Sequence, residues 1–185
     1  MTASGPGRPA ALLDRDGVLN EPHVVEGRPR PPASVAELVL AAGAAGACAR
    51  LHEAGLLLVV VTNQPDLARG TADAHSVDEI NRELRRRLPL DDVLVCPHDD
   101  GDRCGCRKPA PGLLHQAAAR WAIDLTRSVM VGDRWRDVEA GRRAGCATVF
   151  VDRGYDEPRP MAPDLVVSSL EEAVSWILRA TRAEV

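Results

Sequence analysis

A single lysine stands in this chain of 185 residues, against 22 arginines. A composition that uses arginine almost everywhere a cation is needed leaves Lys108 as a position where a compact ammonium, and not a planar fork, is required. Aromatic residues are also scarce: three tryptophans, one tyrosine and one phenylalanine. With so few rings for stacking, a net charge of −4 and arginines spread along the chain, a nucleic-acid partner is not expected. Long apolar runs are missing too. The longest, Leu56 to Val61, falls far short of the roughly 20 residues of a membrane helix. Met1 to Pro9 lacks an apolar leader segment, and its Ser, Gly and Pro content suggests a mobile tail over residues 1–9. These absences set the expectation of a cytoplasmic, reducing setting with no membrane partner.

What remains is a globular composition, 45% hydrophobic and 27% charged, enough for one core in a domain over residues 10–185. Short Val- and Leu-rich runs end at Leu13, Val61, Val95, Val131 and Val151, with helical patterns between them. That alternation predicts an α/β domain, a parallel sheet with helices on both faces. Helices are expected over Ala44 to Ala54, Val77 to Leu88 (opened by a Ser76/Glu79 capping box), Leu113 to Ala122, Trp135 to Ala144 and Leu170 to Ala180. Glu21 to Ala33 and Arg153 to Pro163 read as long Pro-rich loops of the kind that border a site.

Ligands of open α/β sheets bind beyond the carboxyl ends of the strands, so the residues after each run carry the chemistry. After the first come Asp14 and Asp16, with Gly17 allowing a sharp turn. One carboxylate can attack phosphorus, and a second two residues on can protonate the leaving oxygen and then deprotonate water. Taken alone, Asp-x-Asp-Gly more often marks an ordinary polar turn. After the second run, Thr62, Asn63 and Gln64 suit either phosphoryl hydrogen bonding or the capping of a helix. Asp133 follows the fourth run and adds a third acid. Three acids facing a phosphate dianion call for a hard cation, and Mg²⁺ suits oxygen ligands. Lys108 then neutralises the nucleophile and the transferring group.

Three of the five cysteines lie together. Cys96, His98, Cys104 and Cys106 form C-x-H-x₅-C-x-C, a closed set of four ligands that reads as structural Zn²⁺. The loop is too short for a core of its own, so the metal would shape it and present Arg107 and Lys108 to the phosphate site. Cys48 and Cys146 read as small core residues.

The order DRDG, TNQ, RKP-x-PG and GDR-x-x-D, over about residues 10 to 180, resembles the haloacid dehalogenase (HAD) phosphohydrolases. The zinc-type loop is similar to that of the branch holding heptose-bisphosphate and histidinol-phosphate phosphatases. The resemblance implies a Rossmann-like sheet without a large cap, Asp14 as nucleophile, Asp16 as acid/base, and Thr62 and Lys108 on the phosphoryl group. It also implies Mg²⁺ on Asp14, the Asp16 carbonyl and Asp133. Substrate contacts would fall on Pro22, His23, Val24 and Val25, on Thr62, Asn63, Gln64 and Pro65, and on Arg107 and Lys108. The cues to substrate divide. Ala68-Arg69-Gly70 and Pro109 to Gly112 look like the heptose enzymes, while the short zinc loop and Gly132-Asp133-Arg134 look like the histidinol branch, whose cationic substrate Glu21, Glu26 and Asp66 could face. Val18 and Pro65-Asp66 depart from the usual pattern. The expectation is a monomeric enzyme that removes the 7-phosphate of a heptose 1,7-bisphosphate for nucleotide-activated heptose synthesis, with histidinol phosphate as the alternative.

Overall fold

The computed structural model describes residues 7–182. Its centre is a six-stranded parallel sheet built from β1 (Ala10–Leu13), β4 (Leu57–Asn63), β5 (Asp92–Cys96), β6 (Val129–Gly132), β7 (Ala147–Val151) and β8 (Leu165–Val167). The order across the sheet is β5-β4-β1-β6-β7-β8. β1 pairs in parallel with both β4 and β6, so the chain leaves the middle of the sheet at Asp14. Because the sheet is covered on both faces, its strands read as continuous apolar runs rather than alternating ones.

Alternate residues of each strand feed two separate cores. Ala11 and Leu13 of β1, with Leu58 and Val60 of β4, pack beneath Cys48 and Leu51 of α1 (Ala44–Glu53), Ile80 and Leu84 of α2 (Ala74–Arg87), and Ala173 and Ile177 of α5 (Leu170–Ala180). Leu12, Val59 and Val61 face Leu113 and Ala117 of α3 (Gly112–Trp121) and Ala140 of α4 (Trp135–Ala144) on the other side. Cys48 and Cys146 are buried core residues, as expected. Among the described residues no helix is long and apolar enough to cross a membrane.

Three local expectations need correction. The helix expected from Val77 begins at Ala74, because the Asp73 carboxylate accepts from the His75 and Ser76 N–H groups and so caps it three residues earlier than the Ser76/Glu79 box would. The loop expected over Glu21 to Ala33 contains a hairpin of β2 (His23–Val25) and β3 (Arg28–Arg30), turning at Glu26 and Gly27 with φ of 50° and 73°. β8 was too short to stand out. Of the tail expected over residues 1–9, residues 1–6 lie outside those described, while Arg8 bonds Ala122 and Asp124 and Pro9 accepts from the Leu57 N–H.

Candidate active site

The strand ends bring Asp14, Thr62, Lys108, Asp133 and Asp137 together with almost no solvent contact. Lys108 Nζ lies 2.8 Å from Asp14 Oδ1 and 2.5 Å from Asp137 Oδ1. Burial alone would discharge this lysine, but the two carboxylates reverse that and raise its pKa above the ordinary value. Asp14 is pushed the other way for a carboxylate, up to about 6, by burial and by the neighbouring Asp137 and Asp16, with Lys108 opposing. Asp133 rises too, through burial and then the charges of Asp14 and Asp137.

Close backbone approach makes the cluster possible. A Cβ on Gly17, at φ +86°, would overlap Asp133 Oδ2 at 1.8 Å, and one on Gly132 would meet the Asp137 side chain at 2.0 Å. Asp137 stands at the start of α4, where its Oδ2 accepts from the Arg134 N–H at 3.0 Å while its Oδ1 holds Lys108.

Asp16 sits at the rim, where its carboxylate accepts from the Arg15 guanidinium, from Asn20 Nδ2 at 3.0 Å and from Gln64 Nε2 at 2.9 Å. Gln64 also donates to Thr62 Oγ1 at 2.9 Å, which fixes the hydroxyl against the cleft. Asn63 clasps Lys108 at the backbone, giving Nδ2 to its carbonyl at 3.0 Å and accepting its N–H at 3.1 Å. The second and third residues of the Thr62-Asn63-Gln64 run therefore position Lys108, Asp16 and Thr62.

A cleft of about 650 Å³ opens over these residues, lined also by Pro29 to Pro31, Pro65, Asp66, Arg69, Asp100, Arg107, Arg134 to Arg136 and Asp156 to Pro158. Of the expected substrate contacts, Thr62, Asn63, Pro65, Arg107 and Lys108 line it, whereas Gln64 is buried behind it. Pro22, His23, Val24 and Val25 are absent from the lining: His23, Val24 and Val25 form the exposed outer strand of the hairpin, and it is the inner strand, ending at Arg30, that reaches the cleft.

Cys96, His98, Cys104 and Cys106 converge beside it. Five of the six separations among their Sγ and Nδ1 atoms are 3.2 to 3.7 Å, and all four ligand atoms lie within 4.8 Å of one another. Zinc bonds of about 2.3 Å to sulfur and 2.0 Å to nitrogen imply ligand separations of roughly 3.5 to 3.8 Å in a tetrahedron, so the set fits that ion. Burial pushes the Cys96 thiol up to about 12, which a cation would reverse. The loop continues into Arg107, whose Nε bonds Asp100 at 2.8 Å and whose NH1 bonds the His98 carbonyl at 3.2 Å, and then into Lys108.

The family model for HAD-hydrolase-like proteins matches residues 105–173. A D-glycero-β-D-manno-heptose-1,7-bisphosphate 7-phosphatase of Rhodopseudomonas palustris is 41% identical over 161 residues, covering 78% of this chain and 84% of its own. One from Bordetella bronchiseptica is 37% identical, with 77% and 80% covered. The crystal structure of D,D-heptose 1,7-bisphosphate phosphatase from B. bronchiseptica, complexed with magnesium and phosphate, superposes with a TM-score of 0.75 at 32% identity, covering 93% of this chain and 98% of that one.

The chain belongs to the HAD-like phosphatases.

Among the described residues the sheet carries no large cap, and the hairpin and the cysteine loop flank the cleft. The acid cluster of this HAD-like phosphatase also fits a divalent cation. Asp14, Asp133 and Asp137 bring carboxylate oxygens within 4.8 Å of one another, and Asp133 Oδ1 is buried with no hydrogen-bond partner. Asp14 and Asp137 share the one ammonium, and Asp133 is left without a cation, which a divalent ion would supply. Asp137 closes GDR-x-x-D, and its part in the site shows only in the structure. The signal was its spacing four residues after Asp133, which places both acids at the strand-to-helix turn. Since both Asp137 oxygens are engaged, by Lys108 and the Arg134 N–H, Asp133 is the better ligand and Asp137 the residue that aims Lys108.

Proposed function

We propose that this chain is a Mg²⁺-dependent phosphatase that removes the 7-phosphate of D-glycero-D-manno-heptose 1,7-bisphosphate and leaves the 1-phosphate in place. The observation that carries the chemistry is the buried Lys108 held between Asp14 and Asp137 at the floor of a cleft sized for a small ligand. An oxygen of the Asp14 carboxylate attacks the phosphorus of the 7-phosphate. The bond from phosphorus to the sugar oxygen breaks, its electron pair stays on that oxygen, and Asp16 supplies the proton. Water then attacks the aspartyl-phosphate, gives a proton back to Asp16 and releases inorganic phosphate and free Asp14. Lys108 and the Thr62 hydroxyl hold the phosphoryl oxygens through both steps. Mg²⁺, held by Asp14, Asp133 and the Asp16 carbonyl, would neutralise phosphate charge.

The rim favours an anionic distal group over the cationic one of histidinol phosphate. Asp66 is paired with Arg69, Asp100 with Arg107 and Arg136, and Glu157 with Arg134. Glu21 is paired with Arg153 at 2.6 Å, and Glu26 is not in the cleft lining. Among the described side chains neither Asp156 nor Arg30, both in the cleft lining, has an ion-pair partner. A second phosphate finds Arg30 there, beside the acid-paired guanidiniums of Arg69, Arg107, Arg134 and Arg136. The four-ligand cysteine site is read as structural zinc and the enzyme as a monomer. The product keeps an anomeric phosphate, the group that a nucleotidyl transfer consumes. Phosphorus NMR of the bisphosphate incubated with enzyme and Mg²⁺ tests the regiochemistry: survival of the anomeric phosphate signal is expected, and its loss with the 7-phosphate intact overturns the proposal.

A further inference from the structure

The apolar face of α2 contains an asparagine. Val77, Ile80 and Leu84 are buried there, and Asn81, 7% exposed, shares that face where the pattern asks for a hydrophobic residue. A buried amide is costly unless hydrogen bonded, and such a departure from pattern commonly marks a functional constraint. The partner of Asn81 is itself out of place: its Oδ1 accepts at 3.0 Å from NH1 of Arg15, a guanidinium with 0% exposure at the catalytic turn.

Arg15 faces two ways. One side of its planar fork meets Asn81, while Nε and NH2 lie 3.2 and 3.0 Å from the Asp16 carboxylate. Rotating the guanidinium plane would break the contacts at both ends, so the atom that fixes NH1 also fixes the direction in which Nε and NH2 point. The other donors to Asp16, the side-chain amides of Asn20 and Gln64, each present a single N–H contact and impose no plane. Asn81 is not among the residues that line the cleft, and its side-chain hydrogen bond goes to Arg15.

We infer that Asn81 is a positioning residue for Asp16, acting from α2 through the buried guanidinium of Arg15. This rests on the acid/base role given to Asp16 above. It couples the seat of α2 on the sheet to proton delivery at the leaving oxygen, so loosening that contact weakens protonation without touching the nucleophile.

Leaving-group dependence tests this. An alkyl phosphate such as the heptose bisphosphate needs its leaving oxygen protonated, whereas p-nitrophenyl phosphate expels a stabilised oxyanion unaided. The ratio kcat/KM reports only the steps through phosphoryl transfer to Asp14. For Asn81→Ala, kcat/KM on the heptose bisphosphate should fall on the order of tenfold and that on p-nitrophenyl phosphate less than about twofold, a part of the ~10²–10⁴ that proton transfer contributes. Equal loss on both substrates, or no loss on either, would overturn the inference. Asn81→Ser serves the same comparison should the alanine variant not fold. Asp16→Asn is the control: if it fails to separate the two substrates, the acid/base reading of Asp16 is wrong, whereas separation by Asp16→Asn but not by either Asn81 variant sinks this inference alone.

Discussion

Replacing Lys108 by arginine preserves the charge and changes only its shape. In the structure a point-like ammonium fits a slot 2% exposed, 2.8 Å from Asp14 and 2.5 Å from Asp137. A guanidinium adds two heavy atoms and a plane to that slot. Overpacking of this kind costs about 1–3 kcal/mol, whereas removing the charge with Lys108→Met strands two buried carboxylates and costs about 3–5 kcal/mol. The arginine variant should therefore fold, with a melting temperature between those of wild type and Lys108→Met. Its activity should suffer far more than its stability, because displacing a phosphoryl-binding group by ~1 Å costs on the order of 10²-fold. The assay is kcat/KM for phosphate release with Mg²⁺, alongside thermal unfolding followed by circular dichroism. Lys108→Arg activity within about fivefold of wild type would refute the argument that this site needs an ammonium.

Asp14→Asn should abolish turnover while leaving the circular dichroism spectrum unchanged, and Asp16→Asn should reduce turnover by ~10²–10⁴-fold; substantial activity in the first, or less than about tenfold loss in the second, would reassign those roles. Metal analysis should find about one zinc per chain, and stripping it should lower both melting temperature and turnover, since the loop delivers Arg107 and Lys108; zinc-free protein with normal values would separate loop from catalysis. In metal-free protein, Asp14 binds its proton more tightly folded than unfolded, so its contribution is full below the unfolded value of 3.8 and is lost as pH rises through about 6. Asp14 alone then lowers stability by about 1 kcal/mol between pH 5 and 7, and saturating Mg²⁺ should stabilise more at pH 7 than at pH 5; denaturant titrations that show the opposite trend contradict the burial argument.

Much of the sheet and its catalytic edge was legible because parallel strands buried on both faces leave uninterrupted apolar runs. The residues after those runs then have nowhere to go but the ligand edge. That position made Asp14, Thr62 and Asp133 candidates, the order of the motifs joined them into one site, and Lys108 stood out as the chain's only lysine. The cysteine loop was legible because ligand spacing is a short-range property. Asp137 was harder, since an acid in the first turn of a helix has an ordinary explanation in the helix dipole. The hairpin was hidden by Pro29 and by a Glu-Gly turn that lacks the usual Asn-Gly or Asp-Gly signal. The placing of substrate contacts on Pro22 to Val25 followed position in a motif, whereas access to the cleft depends on which hairpin strand lies inward. Asn81 and Arg15 could not be read as partners, because 66 residues separate them and only the packing of α2 joins them.

The central claim is best tested by phosphate release with Mg²⁺ from a panel of both anomers of D-glycero-D-manno-heptose 1,7-bisphosphate, fructose 1,6-bisphosphate, histidinol phosphate and a 3′-phosphorylated oligonucleotide. The account predicts that one heptose anomer exceeds every other substrate in kcat/KM by at least an order of magnitude. A preference for histidinol phosphate, or comparable rates across the panel, would contradict it.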